Sequence, residues 1–506
     1  MCGFFISNSS RINKSCGALI ERHLRFRGPD GASGLIEYKG WKAYHSRLSI
    51  IDLSAGINQP MIDGAGGILV FNGEILNYKE LGYKYFKQEY YSDTKLLSDL
   101  LSKRLLSISE LDGFFSFVYV NSSGELTHAV RDHFGVKPLF FHKDEYGISF
   151  CSEPNVLRSL FNCKVNDYAI DEYYATRAAI FSGSYFSGIN AIEPGECYIS
   201  GRYFDCAEYL RSGYEELSYL NLEEALCKGI STRLVSDSPI GLLLSKGVDS
   251  NLLRNLGNFT HYYTIGFSGD EDIEYLKKQN ITGLTAIECS PDEYRAAFDY
   301  LLDLRGEPMS VPNEVLLYVI AAKAASDGVK VLLSGEGADE FFGGYDRIFQ
   351  WAYHAKYFDL DEFLDRYCYI APEKESWLYN KFLSLFNKVN FDSVFETVRW
   401  FFIRYHMPIL FRRLDFSLMA AGVEGREPIA NMHTFIKAVK LSPQILMGET
   451  LGKLPLRDIL SKFMGRDFSY EKKVGFPVDL TKVFDNKELL SSYELWFKEN
   501  LKVLEK

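Results

Sequence analysis

The chain has 506 residues, of which 47% are hydrophobic and 24% charged, a composition typical of a soluble globular protein with two or three domains. Its formal net charge of -11 gives no overall basic field, so nucleic acid is not an expected partner. Nine cysteines at scattered spacings fit neither a disulfide framework nor a CxxC zinc site. The start has no secretory leader, and no window approaches the roughly 20 apolar residues of a membrane span. The sequence therefore predicts a cytoplasmic protein without a membrane partner.

Short apolar or alternating runs, separated by turn signals, fill the first 195 or so residues. They are Gly3 to Ile6, Gly67 to Phe71, Phe114 to Val120, Leu139 to Phe141 and Ile148 to Phe150. Such runs predict strands of antiparallel sheets with few long helices between them. A polar, tyrosine-rich passage at 201–220 is expected to link this first domain, residues 1–200, to a second domain, residues 215–500.

The pattern changes in the second domain. Ile240 to Leu244, Tyr262 to Phe267 and Val329 to Leu333 are candidates for buried strands, and helical patterns such as Glu314 to Ser326 lie between them. This alternation predicts a parallel α/β sheet, with a nucleotide site at the carboxyl ends of its strands. From about residue 346 the chain is rich in aromatic residues and helical in pattern.

Cys2 directly follows the initiator methionine, and its small side chain favours removal of Met1. The mature chain would then begin with a thiol beside a free α-amine. That amine has a reference pKa of about 7.7 to 8.0 and can act as general base for the thiol of the same residue. From its position alone, Cys2 fits an ordinary buried thiol better than a nucleophile.

Further short motifs accompany Cys2 in the first 155 residues. They are Arg25 to Gly31, Ser46 to Leu53, Gln59 to Met61, Phe71 to Ile75, Ser92 to Thr94, Arg131 to Leu139 and Ser152 to Pro154. In this order they resemble the glutaminase domain of class II glutamine amidotransferases. The resemblance implies an αββα fold of the N-terminal-nucleophile (Ntn) hydrolase type, with Cys2 as the nucleophile that releases ammonia from glutamine.

The same resemblance implies how glutamine is bound. Asn72 and the backbone N–H of Gly73 would supply the two donors of an oxyanion hole. Arg47 would bind the α-carboxylate, and Asp93 and Glu74 the α-ammonium; a surface ion pair of Arg47 and Asp93 is the alternative. The expected glutamine-binding residues are Arg47, Leu48, Ile50, Asn72, Gly73, Glu74 and Asp93.

A loop of small residues follows the strand predicted at Ile240 to Leu244. Its sequence, Ser245-Lys246-Gly247-Val248-Asp249-Ser250, precedes a helix expected from Asn251, and such a loop presents backbone N–H groups to an anion. It resembles the pyrophosphate loop, Ser-Gly-Gly-x-Asp-Ser, of ATP pyrophosphatases such as asparagine synthetases. Lys246 stands where that family has glycine, so it either adds a charge on the leaving pyrophosphate or marks a weakened site.

The run from Val331 to Tyr345 resembles the asparagine synthetase signature over nearly its whole length. The resemblance implies that Asp249 and Asp339 hold Mg²⁺ against ATP phosphates and that Glu336 lies near the acyl-adenylate and ammonia. By the same reasoning Lys473 would neutralise charge as pyrophosphate leaves, unless it belongs to an exposed basic pair. The expected ATP-binding residues are Leu243, Ser245, Lys246, Gly247, Asp249, Ser250, Ile265, Ser334, Gly335 and Lys473; the catalytic ones are Cys2, Asn72, Gly73 and Glu336.

The expected fold combines α+β and α/β domains: an N-terminal αββα sandwich, then a parallel sheet of the adenine nucleotide alpha hydrolase-like kind with a helical extension. The expected reaction is amidation of a carboxylate through an acyl-adenylate, with glutamine, ATP and Mg²⁺, and aspartate is the conservative acceptor. Lys246, Phe416 and Ala430, which stand where the family has glycine, arginine and aspartate, keep open another carboxylate such as a sugar uronic acid or natural-product intermediate. A regulatory glutamine-binding protein with an inactive synthetase domain is a third alternative, and a homodimer is one expected assembly.

Overall fold

The computed structural model describes residues 2–215, 219–472 and 478–505. Two antiparallel sheets occupy the N-terminal part, and one parallel sheet with many helices occupies the C-terminal part. None of the helices in the described ranges combines the length and apolarity that crossing a bilayer requires.

The two N-terminal sheets are built from thirteen strands: β1 (Cys2–Ser7), β2 (Gly31–Ala32), β3 (Ile36–Tyr38), β4 (Trp41–Arg47), β5 (Met61–Ile62), β6 (Ile68–Ile75), β7 (Gly113–Val120), β8 (Leu126–Arg131), β9 (Phe140–Asp144), β10 (Gly147–Cys151), β11 (Ile189–Ala191), β12 (Glu196–Cys197) and β13 (Gly201–Arg202). The first sheet has the order β11-β9-β10-β1-β4-β2, with β3 also paired to β4, and the second has the order β13-β12-β8-β7-β6-β5. The runs predicted as strands lie in β1, β6, β7, β9 and β10, as expected for antiparallel sheets.

The two sheets pack face to face because their strands alternate between two apolar faces. In β1, Phe4 and Ile6 pack with Val70 of β6 in the core between the sheets. Phe5 points the other way and packs with Leu24 of a helix that covers the first sheet. The N-terminal helices are α1 (Gly17–Leu24), α2 (Tyr78–Phe86), α3 (Asp93–Ser102), α4 (Pro154–Phe161), α5 (Asp167–Thr176) and α6 (Cys206–Leu210). Helices α1 and α4 cover the first sheet and α3 covers the second, which confirms the predicted αββα sandwich.

The C-terminal sheet consists of β14 (Ile240–Leu243), β15 (His261–Gly266), β16 (Leu284–Glu288), β17 (Val331–Leu333) and β18 (Glu424–Arg426), in the order β16-β15-β14-β17-β18. All its strands are parallel, which confirms the predicted sheet. The strand order reverses at β14, because β15 and β17 lie on opposite sides of it. This reversal opens a crevice at the carboxyl ends of the strands, where ligands bind in such sheets.

The remaining helices flank the parallel sheet and form the predicted extension: α7 (Tyr219–Arg233), α8 (Val248–Leu256), α9 (Glu271–Lys278), α10 (Pro291–Arg305), α11 (Asn313–Ser326), α12 (Ala338–Phe342), α13 (Asp346–His354), α14 (Leu360–Tyr367), α15 (Trp377–Phe386), α16 (Val394–Phe401), α17 (Met407–Met419), α18 (Met432–Val439), α19 (Pro443–Leu446), α20 (Leu454–Met464), α21 (Arg466–Ser469) and α22 (Ser492–Leu501). Helix α8 begins at Val248 instead of Asn251, because the Gly247 carbonyl already accepts the Asn251 N–H at 3.3 Å. The passage predicted to link the domains carries β13 and α6, and the domain limits stay a prediction.

Candidate active sites

Cys2 begins β1 and lies opposite Arg47, at the end of β4. The Cys2 backbone N–H donates to an amide atom of Asn72 at 2.9 Å, which identifies that atom as the oxygen, Oδ1. Asn72 is fully buried, and its Nδ2 has no hydrogen-bond partner within the described residues. An orphaned donor therefore lies beside Cys2, where an oxyanion hole is required.

Gly73, the second expected donor, follows Asn72 in β6. Its φ is +125°, and an added Cβ would lie 2.0 Å from the carbonyl oxygen of Phe114 in β7. Only glycine combines that backbone conformation with so close an approach. The Asn-Gly pair is thus fixed by packing between β6 and β7 as well as by its expected chemistry.

The environment of the Cys2 thiol is low in polarity. Burial raises the pKa of the thiol, whereas the amino terminus, the backbone N–H of Leu48 and the charge of Arg47 lower it. The carboxylate of Glu424, in β18 of the parallel sheet, also raises the pKa of Cys2. The C-terminal part of the chain therefore contributes to the electrostatics of this site, which sequence reasoning did not predict.

The loop after β4 also meets the C-terminal part of the chain. Leu48 and Ile50 are buried, and the Ile50 carbonyl accepts the backbone N–H of Asp237 at 2.9 Å. In return, the Asp237 carboxylate accepts the backbone N–H of Asp52 at 2.9 Å. These contacts hold the loop that the sequence assigns to glutamine.

Arg47 is held in place by neutral acceptors. Its guanidinium donates to the Ser54 carbonyl at 2.6 Å, to the Asn58 Oδ1 at 2.8 Å and to the Asp52 carbonyl. Arg47 forms no ion pair with Asp93, so the surface ion pair considered as an alternative for these two residues is not present. Its positive charge is available to a ligand carboxylate.

Glu74 and Asp93 are two neighbouring buried carboxyl groups. Asp93 accepts the backbone N–H groups of Ile75 at 3.0 Å and Thr94 at 2.6 Å. Burial and the charge of Asp93 raise the pKa of Glu74 well above its ordinary value. A ligand ammonium placed between these two carboxyl groups would offset their mutual repulsion.

A second site lies at the carboxyl ends of β14, β15 and β17, around a cavity of about 300 Å³. Its lining includes most of the residues that the sequence assigns to ATP, namely Leu243, Ser245, Gly247, Asp249, Ser250, Ile265, Ser334 and Gly335, together with Glu336 and Asp339. Within the loop, Asn251 Nδ2 donates to the carbonyls of Ser245 and Gly247, each at 2.9 Å. The loop conformation is thus held by the first residues of α8.

Lys246 is not part of this cavity lining. Its Nζ lies 2.5 Å from Glu471 Oε1 and 5.4 Å from the centre of the Tyr275 ring. Lys246 is not among the residues with positive φ, so its side chain causes no left-handed strain in the loop. The expected residue Lys473 lies outside the described residues.

Asp249 and Asp339, the expected metal ligands, are bridged by a lysine that sequence reasoning missed. Lys453 Nζ lies 2.8 Å from Asp249 Oδ2 and 2.6 Å from Asp339 Oδ1. Although burial lowers the pKa of Lys453, the two aspartates more than compensate and raise it overall. A Cβ on Gly344 would lie 1.8 Å from Asp339 Oδ1 and 2.0 Å from Lys453 Cε, which explains one glycine of the signature. The sequence does offer one indication of Lys453: it stands between Gly452 and the apolar start of α20. A lysine that is buried in such surroundings usually has an acidic partner.

The two aspartates can still accommodate a cation. Asp249 Oδ1 is buried and has no hydrogen-bond partner in the described part of the chain, and a carboxylate oxygen of this kind suits Mg²⁺. The described residues contain no group of three or more histidine, cysteine, aspartate or glutamate side chains that could hold a metal. A Mg²⁺ ion here would therefore take its remaining ligands from phosphate and water, as is usual for nucleotide sites.

Glu336 is placed in the cavity by an ion pair with Arg413 of α17, a residue that sequence reasoning did not single out. Next to it, burial raises the pKa of Glu340 to about 8, and the Tyr345 hydroxyl donates to Glu340 at 2.6 Å. The acidic side chains of the signature therefore differ in role: Glu336 faces the cavity, and Glu340 is a structural hydrogen-bond acceptor.

A buried charge network joins the Cys2 strand to helix α17. Arg27 is fully buried; its Nε donates to the Cys2 carbonyl at 3.1 Å, and its other nitrogens contact Glu153 at 2.6 Å and Asp415 of α17 at 2.8 Å. Lys137 also contacts Asp415, at 3.2 Å. Sequence reasoning missed this network, because Arg27 and Asp415 are 388 positions apart.

Comparison with known proteins agrees with this arrangement. The sequence profile described as asparagine synthase matches residues 221–502, and the profile described as glutamine amidotransferase domain matches residues 1–209. The first profile covers the parallel sheet with its nucleotide-type cavity, and the second covers the sandwich that contains Cys2.

Curated relatives carry related names. The chain is 27% identical to asparagine synthetase [glutamine-hydrolyzing] 1 of Bacillus subtilis, over 63% of this chain and 54% of the relative. It is 32% identical to a putative asparagine synthetase [glutamine-hydrolyzing] 1 of Methanocaldococcus jannaschii, over 60% of this chain and 58% of the relative, so it spans little more than half the length of these two proteins. A probable asparagine synthetase [glutamine-hydrolyzing] of Acanthamoeba polyphaga mimivirus is 26% identical over 100% of this chain and 88% of the relative. With more than half of its residues matched by one profile, the chain belongs to the asparagine synthase family.

Proposed function

We propose that this protein is a glutamine-dependent ligase that converts aspartate to asparagine with release of glutamate, AMP and pyrophosphate. The observation that carries the proposal is the amide of Asn72, whose oxygen holds the Cys2 backbone nitrogen while its buried NH₂ group has no partner. A thiol beside an orphaned donor is the arrangement that hydrolysis of an amide requires.

In the first half-reaction, removal of Met1 would turn the Cys2 N–H into an α-amine that takes the proton of its own thiol. Arg47 would bind the α-carboxylate of glutamine, and Glu74 with Asp93 its α-ammonium. The thiolate attacks the side-chain amide, Asn72 Nδ2 stabilises the oxyanion, ammonia leaves, and water then releases glutamate. The raised pKa of the buried thiol makes an adjacent base necessary.

In the second half-reaction, the loop from Ser245 to Ser250 would hold the phosphates of ATP at the amino end of α8. A bound Mg²⁺ would supply charge neutralisation on the phosphates, with Asp249 and Asp339 as its protein ligands. The acceptor carboxylate attacks the α-phosphorus, pyrophosphate leaves, and ammonia displaces AMP from the acyl-adenylate. Lys453 would hold the two aspartates in position, and Glu336, paired with Arg413, would lie near the reacting carbonyl.

None of the three substitutions that suggested another acceptor lines the nucleotide cavity. Ala430 lies beside the signature loop, where a Cβ on Gly337 would be 2.9 Å from the Ala430 Cβ. Lys246 contacts Glu471. Phe416, which replaces a family arginine, is buried between the guanidinium groups of Arg305 and Arg412, 5.1 and 5.4 Å from its ring centre. Because the loop and the acidic residues are in place, an inactive synthetase domain is also not favoured. Aspartate therefore remains the proposed acceptor.

The test measures glutamate and pyrophosphate release in parallel, with glutamine or ammonium chloride as nitrogen source and with aspartate compared to other carboxylates such as a uronic acid. We expect aspartate to give the highest rate of pyrophosphate release. Cys2→Ala should abolish glutamate release but keep ammonia-dependent amide formation, and Asp249→Asn should do the reverse. Loss of both activities in a folded Cys2→Ala protein would contradict separate sites, and pyrophosphate release only with another acid would reassign the acceptor.

A further inference from the structure

A further cavity, of about 130 Å³, lies where the N-terminal sandwich meets α17 and the segment between α10 and α11. Its lining includes none of the residues assigned to either active site. The volume has room for several water molecules, which suits a small ligand and excludes a nucleotide. The cavity is formed by the segments 177–185 and 191–194 on one side and 305–310 and 404–412 on the other.

The lining carries more positive than negative charge. Five arginines contribute to it, namely Arg131, Arg177, Arg305, Arg404 and Arg412, but only two acidic residues, Glu193 and Glu307. Three of the arginines have carboxylate partners: Arg305 pairs with Glu307 and Glu314, Arg404 with Glu193, and Arg412 with Glu153 and Glu307.

The other two arginines are bound only by neutral groups. Arg131 donates to the backbone carbonyls of Lys137, Ile192 and Gly135 at 2.8 to 3.1 Å, and burial lowers its pKa. Arg177 donates to the Tyr493 hydroxyl at 3.2 Å and pairs with no carboxylate among the described residues. Arg131 is buried, and the nearby charges of Asp132 and Glu193 only partly offset the effect of burial on its pKa; Arg177 is half-buried. Two guanidinium groups without a direct carboxylate partner favour an anion in the cavity.

Two further donors belong to the lining. Arg412 Nε is buried and has no hydrogen-bond partner within the described ranges. The Tyr185 side chain is 5% exposed and lines the cavity, where its hydroxyl can donate. Neutral donors and guanidinium groups around one small cavity are the usual partners of carboxylate or phosphate oxygens.

We propose that this cavity is a binding site for a small dianion, such as inorganic phosphate or a short dicarboxylate, separate from both active sites. The guanidinium of Arg177 supplies the uncompensated charge, and the Tyr185 hydroxyl donates to the ligand. The site is formed by both domains, so its ligand contacts both.

The test is calorimetric titration of the full-length protein with inorganic phosphate and, separately, with malonate, in the presence of saturating ATP so that the phosphate loop is already occupied. Arg177 has a φ of +64°, and Asn tolerates that conformation, so Arg177→Asn is the main variant. Tyr185→Phe removes only the hydroxyl. Arg11→Asn is the matched control, because Arg11 packs on the Tyr146 ring at 4.5 Å outside the cavity.

We expect saturable binding of at least one of the two ions, and the ion that saturates identifies the ligand class. Arg177→Asn should weaken binding at least tenfold and Tyr185→Phe about threefold to tenfold, whereas Arg11→Asn should bind as the wild type does. If Arg177→Asn fails to fold, Tyr185→Phe decides alone. Absence of saturable binding, or equal weakening by the Arg11 control, would overturn the proposal.

Discussion

Replacing Asn72 with alanine tests the candidate oxyanion hole most directly. The substitution removes the orphaned Nδ2 donor and the acceptor of the Cys2 nitrogen together. Loss of one oxyanion donor costs about 2.7 to 4 kcal/mol in the barrier, or roughly 10²- to 10³-fold in rate. Loss of the hydrogen bond to Cys2 adds about 1 kcal/mol, through the position of the nucleophile.

The expected result is that glutamate release from glutamine falls by a factor of at least about 10², while pyrophosphate release with ammonium chloride stays within about twofold of the wild-type rate. Both rates are measured on the same preparation, and a thermal melt establishes that the variant is folded. A fall of less than about tenfold in glutamate release would refute the assignment of Nδ2 to the oxyanion. An equal fall in ammonia-dependent pyrophosphate release would show structural damage instead.

Asn251→Ala is the matched control, because Asn251 is also a fully buried asparagine whose amide holds a ligand loop. Its Nδ2 donates to the carbonyls of Ser245 and Gly247, each at 2.9 Å, in the phosphate loop. This variant should lose pyrophosphate release and retain glutamate release. The two asparagine variants should therefore give opposite patterns if the two sites work separately.

Three further predictions concern charged side chains. Lys246→Gly should change the KM for ATP by less than about threefold, because the lysine binds Glu471 at the surface and such ion pairs contribute about 0 to 1 kcal/mol. A tenfold change of KM in steady-state assays would instead show that Lys246 contacts the nucleotide. Lys453→Met removes the cation that bridges Asp249 and Asp339. Charge-assisted hydrogen bonds contribute about 1.5 to 3 kcal/mol each, so the rate of pyrophosphate release should fall by roughly 10²-fold or more. Glutamate release should persist. Arg27→Met breaks fully buried ion pairs and should lower the free energy of unfolding by about 3 to 5 kcal/mol in urea titrations at pH 7. The pKa of Asp415 is lowered in the fold, mainly by Arg27 and Lys137 against burial, so wild-type stability should be highest above about pH 4 and fall as the pH drops further. The Arg27→Met protein should show a smaller loss of stability between about pH 5 and pH 2, and an unchanged loss would contradict this origin.

What the sequence predicted well depends on local pattern. Alternation of apolar residues determines which face of β1 and β7 is buried, and glycine is required at Gly73 and Gly344 by a close approach that any side chain would block. Ser245 and Asp249 follow β14 within six positions. The location of their loop at the end of that strand can therefore be predicted from the local sequence alone. These features need no knowledge of distant partners.

What the sequence did not predict depends on partners far away in the chain. The direction of Lys246 is determined by Glu471, 225 positions later, and Lys453 meets Asp249 across 204 positions. Strand β18 has three residues, too few for a periodic pattern, so the helical pattern predicted from about residue 346 is wrong at this strand. Its pairing with β17 cannot be seen from either segment alone.

Strand β18 links the two candidate sites electrostatically. The strand is an edge of the parallel sheet, yet the charge of Glu424 acts on Cys2, and the Arg426 guanidinium lies 5.6 Å from the centre of the Phe114 ring in β7. The next residue, Glu427, is buried with neither carboxyl oxygen hydrogen-bonded to any described residue, and burial raises its pKa to about 8. An edge strand of the parallel sheet thus lies close enough to the thiol site for its charge to act there. If the proposed function holds, changes in β18 should alter both glutamate release and pyrophosphate release, whereas changes in the loop after β4 or in the loop after β14 should alter only one.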